Sequence, residues 1–180
     1  MPNWCSNKLI VTGSPEKITE IAEHAEKGDL LNYIVPMPED LLSTVRGSVG
    51  VAGSTEQNAL YEFALAEWGT KWDIGVDAYV HVYIQGDSDS QVTIIFQSAW
   101  GPPCEAYSTL LEQDGVSGIN ATWFEPGCAF CGQFVNGDYE EITIQEWSDE
   151  WIEGNVPALI REDYEDDFIQ MTEFAEEHEE

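Results

Sequence analysis

The last 43 residues carry 17 Asp and Glu and a single basic residue, Arg161. This segment constrains the chain more than any other feature. Its predicted helix places like charges at i,i+4, Glu162 with Asp166 and Asp163 with Asp167, and such pairs repel. No helical Lys offsets them. Carboxylates at a helix C-terminus also oppose the macrodipole, so the last turn is expected to fray. An unneutralised cluster held on a folded body implies that its field is used.

The rest of the chain is less extreme. Residues 1–137 carry 18 acidic and 5 basic side chains, and the whole chain has a formal net charge of −29. That balance excludes electrostatic binding to a nucleic-acid backbone or to an anionic membrane, both of which need clustered Lys and Arg. The chain does not read as a disordered acidic tail. It is 43% apolar and holds seven each of Trp, Tyr and Phe, whereas disordered acidic segments are poor in aromatics. Nothing at the N-terminus reads as a secretory signal, and no apolar run approaches the ~18 residues of a membrane span. Four cysteines do not make a disulfide scaffold, so a reduced, cytoplasmic protein is expected.

Hydrophobic periodicity predicts an α+β chain. Residues 4–12 read as a strand. Ser14 then caps a helix with Pro15 at its first position and Gly28 past its end, and Ile18, Ile21, Ala22 and Ala25 form its buried stripe. Residues 30–35 read as a short strand and 46–53 as a loop. Ser54 and Gln57 form a capping box for a second helix, which ends at Gly69. Residues 74–85 alternate cleanly, with Val76, Ala78, Val80, Val82 and Ile84 on one side, and 92–99 form the partner strand. A third helix spans 103–114, with Cys104, Tyr107 and Leu111 inward. A meander covers 118–147, and Asn136-Gly137 is its strongest hairpin signal. Pro157 opens one C-terminal helix with Ile160, Tyr164, Phe168, Met171 and Ala175 in a stripe. The expected plan is an antiparallel sheet with helices on one face. It divides into a core, residues 1–137, and an acidic strand/helix extension, residues 138–180, packed on the same domain.

Three segments carry a resemblance. They are Met1-Pro2-Asn3-Trp4-Cys5-Ser6-Asn7 running into Leu9-Ile10-Val11-Thr12-Gly13, Trp68-Gly69-Thr70-Lys71-Trp72-Asp73, and Phe96-Gln97-Ser98-Ala99-Trp100-Gly101-Pro102-Pro103. Glu125-Pro126-Gly127 through Phe130-Cys131-Gly132 fits more loosely. Together they resemble the YubB-type ferredoxin-like domain family of plasmid- and phage-encoded proteins, over residues 1–136. The resemblance implies a ferredoxin-like fold and a mobile-element origin. It implies no activity and no catalytic residues, and it leaves residues 138–180 unexplained.

Other candidate sites have simpler readings. Cys128 and Cys131 have metal-ligand spacing, but a structural zinc needs two further ligands. Cys5 and Cys104 are the only other sulfurs, and His24, His81 and His178 match no finger spacing. Buried strand residues are the better account. Asp87-Ser88-Asp89-Ser90 begins like a calcium loop but has Val92 and Ser98 where Gly and Glu are required. A Cys104/His81 nucleophile pair has no local support. Trp4, Trp68, Trp72 and Trp100 would suit base stacking only beside a cationic groove, and core packing fits them better. Lys71 is expected to pair with a carboxylate or stack on a ring. No cofactor and no enzymatic activity is expected.

The acidic segment remains. Its candidate residues are Glu140, Glu141, Glu146, Asp149, Glu150, Glu153, Glu162, Asp163, Glu165, Asp166, Asp167 and Glu173, with Trp147, Trp151 and Tyr164 as exposed apolar anchors. Duplex DNA carries one charge per ~1.7 Å, so the excess charge matches roughly 50 Å of duplex. The expected function is a nucleic-acid mimic, made by a phage or plasmid, that blocks the groove of a basic host defence protein of restriction or CRISPR type. The rivals are an acidic scaffold, negative for solubility or salt adaptation, and a metal-binding or enzymatic domain on the sheet face.

Overall fold

The computed structural model describes residues 3–41, 55–85 and 89–178. The expected loop at 46–53, the capping residue Ser54, and Asp87 and Ser88 lie outside them.

Strand β1 (Trp4–Gly13) leads into helix α1 (Pro15–Lys27) and α2 (Leu30–Ile34). Helix α3 (Thr55–Glu67), β2 (Tyr79–Tyr83), β3 (Ser90–Ala99) and α4 (Cys104–Leu111) follow. The chain then forms β4 (Val116–Glu125), β5 (Phe130–Val135) and β6 (Asp138–Thr143), and closes with α5 (Asp149–Asn155), α6 (Ala158–Asp163) and α7 (Glu165–His178). The strands form one sheet in the order β2-β3-β1-β4-β5-β6 with every neighbouring pair antiparallel. The excursion from β1 to β2 through α1 leaves room for β3 between them. The excursion from β3 to β4 through α4 likewise leaves room for β1.

Local chemistry accounts for α1. Ser14 Oγ accepts the Lys17 amide at 3.3 Å, and the residues of the expected stripe are the ones buried. Helix α2 occupies part of a segment expected to be a strand, and the reason is remote. The Asp73 carboxylate accepts the amides of Leu31 and Asn32 at 2.8 and 2.9 Å. It satisfies the donors that an isolated helix start leaves open. Helix α4 is shorter than expected; Tyr107 is buried, Cys104 and Leu111 pack partly buried on the core, and Leu110 is buried as well. Strand β2 is confined to five residues of the long alternating run.

The sheet has helices on both faces, where one face was expected. Cys5, Leu9, Val11, Ile94, Ile119 and Trp123 turn to the side covered by α1, α2 and α4. Phe124 and Cys131 turn to the other side, where Ile152, Val156, Ile160, Tyr164 and Phe168 of the C-terminal segment meet them. Thr122 to Glu125 are all buried, so β4 is enclosed from both sides at this point. The expected boundary at 137/138 falls within the turn joining β5 to β6. Asn136 and Gly137 both have positive φ there, 51° and 99°, as a type I′ turn requires.

Gly132 permits a close crossing. Trp123 lays its indole over Gly132 and stacks on Tyr139 of β6, with ring centroids 5.5 Å apart. A Cβ at 132 would strike that indole and the Glu140 carbonyl. Gly132→Val is expected to cost about 2–3 kcal/mol, read as a lower urea midpoint at unchanged slope.

Candidate partner-binding surface

The acidic segment reaches the sheet through aromatic packing. Phe124 is its centre: Phe168 lies 4.8 Å away edge-on, Tyr164 is stacked at 5.8 Å, and Trp147 is edge-on at 6.1 Å. Ser148 caps α5 by accepting the Trp151 amide at 3.3 Å. Arg161 Nε donates to the Val156 carbonyl at 3.1 Å, so this cation is turned to its own backbone.

The single C-terminal helix expected from Pro157 is interrupted at Tyr164, whose φ and ψ are −127° and 31°. The interruption coincides with two polar attachments. The Asp163 carboxylate accepts from Lys8 Nζ of β1 and from Thr122 Oγ1 of β4. The Tyr164 hydroxyl reaches the Thr122 and Ser6 carbonyls at 2.8 and 3.2 Å.

These attachments correct two site assignments. The Asp163 side chain is only 8% exposed and Tyr164 only 7%, so neither presents itself to a partner. Trp147 and Trp151 are half-buried against the same cluster rather than exposed. The break also means that Glu162/Asp166 and Asp163/Asp167 do not share one continuous helix. The expected repulsion along an unbroken face therefore does not describe them.

The structure gathers the other helical candidates. Asp149, Glu150 and Glu153 of α5, Glu162 of α6, and Glu165, Asp166, Asp167 and Glu173 of α7 are all exposed on the layer over the second sheet face. Glu146 is exposed nearby and accepts from Ser148 Oγ at 2.6 Å. The strand candidates diverge. Glu140 accepts from Gln133 Nε2 at 2.8 Å, while Glu141 accepts from the Tyr139 hydroxyl at 2.8 Å. Strand alternation puts these two carboxylates on opposite faces. Glu141 lines a cleft of about 410 Å³ with Cys104, Glu105 and Ser108, away from the helical acids.

Electrostatics divides the acids into two kinds. Asp149 and Glu150 occupy the first turn of α5, and Glu165, Asp166 and Asp167 the first turn of α7. Partial positive charge at a helix N-terminus favours carboxylates there. Interrupting the helix at Tyr164 thus creates a second place where acids are tolerated. Lost hydration and then the neighbouring Asp166 nevertheless hold the Asp167 carboxyl above its ordinary value. Among the described residues the ion pairs of Lys and Arg are Lys8–Asp163, Lys17–Glu20 and Lys27–Glu23, and His24 Nδ1 lies 2.8 Å from Asp29 Oδ1. None neutralises an exposed carboxylate of α5–α7.

The alternative centres do not assemble. Burial, followed by Glu141 and Glu105, pushes the Cys104 thiol up to about 12. Cys104 packs on the first-face core, while His81 registers with Thr93 and Ile10 on the opposite face. Cys131 is buried and Cys128 exposed. Among the described residues, no group of three or more His, Cys, Asp or Glu could hold a metal ion. No described helix is long and apolar enough to cross a membrane. Of the expected Trp group, Trp68 is buried with Nε1 donating to the Val35 carbonyl, whereas Trp4, Trp72 and Trp100 are exposed. Lys71 stacks on rings, its Nζ lying 4.1 Å from the Tyr61 centroid and 5.2 Å from that of Trp72.

One feature escapes the sequence reading. Trp4, Trp72, Tyr79 and Ile95 line a slot on the half of the second face that α5–α7 leave open. The available signal was strand alternation, which sends Trp4 to the side opposite Cys5 and Leu9.

No family model, curated protein or solved structure matches the chain. The resemblance to YubB-type domains therefore rests on the Trp-containing motifs.

Two outcomes test this surface. Asp163→Ala is expected to destabilise the fold by about 2–3 kcal/mol by stranding Lys8; Lys8→Met with Asp163→Leu should recover most of it, both read by urea unfolding. Asp167→Asn is expected to raise the melting temperature at pH 7 by about 1–2 °C. The native carboxyl binds its proton more readily folded than unfolded, so the carboxylate opposes folding above its raised pKa. The gain should shrink as pH falls through that value and disappear well below 3.8.

Proposed function

We propose that the protein is an acidic nucleic-acid mimic that binds and inhibits a basic, nucleic-acid-binding host defence protein of restriction or CRISPR type. One observation carries this reading: exposed carboxylates of α5–α7, without cationic partners among the described residues, stand on a layer pinned to the sheet by Asp163 and Tyr164. Fixed charges of one sign present a field that a positive groove can read, and steer fast, salt-sensitive association. The contact set is the exposed acids, Asp149, Glu150, Glu153, Glu162, Glu165, Asp166, Asp167 and Glu173, with Glu140 and Glu146 at its border. Asp163 and Tyr164 serve as its attachment.

The double split of the β-α-β connections and the order β2-β3-β1-β4 support a ferredoxin-like plan for the first four strands. This agrees with the YubB-type resemblance, from which a phage or plasmid origin follows. Strand β6 and α5–α7 form the acidic extension, packed on that body. The reading is non-enzymatic, without a cofactor, in the host cytoplasm.

A second reading has its own support. The acids at the starts of α5 and α7 sit where helix dipoles favour them, which an acidic scaffold without mimicry would also need. Reversing charge away from those starts separates the two. Glu162→Lys with Glu173→Lys and Glu153→Lys should leave the melting temperature within a few degrees. In a competition assay, native protein should release duplex DNA from its captured partner, and the triple variant should need at least ten times the concentration. Equal potency of the two proteins overturns mimicry by this layer.

A further inference from the structure

We infer that the slot between Trp4, Trp72 and Tyr79 receives an arginine side chain of the protein partner; this rests on the mimic reading and extends its contact surface. The slot has a volume of about 580 Å³. Trp4 and Trp72 place their ring centroids 6.2 Å apart at 46°, an open angle rather than a closed stack. They remain 47% and 40% exposed, and Tyr79 and Ile95 beside them 59% and 46%. Three exposed rings and an isoleucine gathered around one concavity offer a seat for a single side chain.

The chemistry of the walls selects the occupant. Ring faces attract cations, and a planar guanidinium stacks on them as well. Lys71 Nζ already rests 5.2 Å from the Trp72 centroid, so a cation is accommodated against this ring. Two carboxylates line the slot. Asp73 is committed to the amides of Leu31, Asn32 and Ile74. Asp77 is exposed, has no such bond among the described residues, and can pair with an incoming guanidinium. A nucleobase would also stack on these rings, but its phosphates would meet a net charge of −29. A basic protein meets no such barrier.

Position ties the slot to the acidic layer. Ser6 lines the slot, and its carbonyl is held by the Tyr164 hydroxyl at 3.2 Å. A groove laid on α5–α7 therefore runs onto the slot at its margin. The carboxylates would match the groove's charge, and the slot would take one side chain and set the register.

The test follows the indole N–H signals of 15N-labelled full-length protein during titration with the peptide acetyl-Gly-Arg-Gly-amide in 0.3 M NaCl. Its citrulline counterpart, of the same shape and uncharged, is the control. The Trp4 and Trp72 signals should move with the arginine peptide and bind it at least five times more tightly than the citrulline peptide. Asp77→Asn, at an exposed position, should weaken binding about threefold. Trp72→Leu, with an unchanged far-ultraviolet spectrum, should abolish the Trp4 response. Equal binding of the two peptides, silent Trp4 and Trp72 signals, or an Asp77→Asn variant indistinguishable from native protein each overturns the proposal. The Glu153/Glu162/Glu173 lysine variant keeps the slot. If it binds the arginine peptide normally while native protein fails to displace DNA from any partner, the slot stands and the mimic reading falls.

Discussion

The structure depends on the attachment of a strongly anionic helical layer to one face of the sheet. Aromatic packing around Phe124 supplies the area, and the polar contacts at residues 163 and 164 supply the position. Lys8 is one of six basic side chains in the chain, and it is spent beneath the layer rather than on its surface. A part-buried pair of this kind is weak evidence for stability, because desolvation opposes its attraction. It lies where α6 ends and α7 begins, so it ties the junction between two acid-bearing helices to β1.

The same arrangement alters how the acids should be weighed. In an unbroken helix their mutual repulsion would accumulate along one face. Interrupting that helix at Tyr164 divides the charge between two short elements and gives α7 its own N-terminus. The charge density is therefore partly a matter of local helix chemistry and partly a surplus that no described cation answers.

Where folding signals were local, the sequence was readable. Helix α1 carries its cap, stripe and stop within fifteen residues, and the Asn136-Gly137 turn is specified by its own backbone demands. Helix α2 is hidden from local signals because its amides are satisfied by Asp73, distant along the chain. The C-terminal segment looks like one continuous helix because Tyr164 fits an apolar stripe, and nothing nearby reveals that its hydroxyl is bound to the backbone of β1 and β4. The second helical layer did leave a trace. Ala121-Thr122-Trp123-Phe124 lacks the alternation of a half-solvated strand, which is the pattern of burial on both sides. For the candidate surface, the acids were plain from composition, but their exposure was not. Asp163 reads like its neighbours and differs only through Lys8 and Thr122.

The two lateral borders of the sheet are unlike. Strand β2 ends one side with five residues and no carboxylate, whereas β6 ends the other with Asp138, Glu140 and Glu141. Unpaired strand borders invite another chain to add on, and charge is one of the means that discourage it. The outermost row of β6 thus guards against fibril-like stacking of copies.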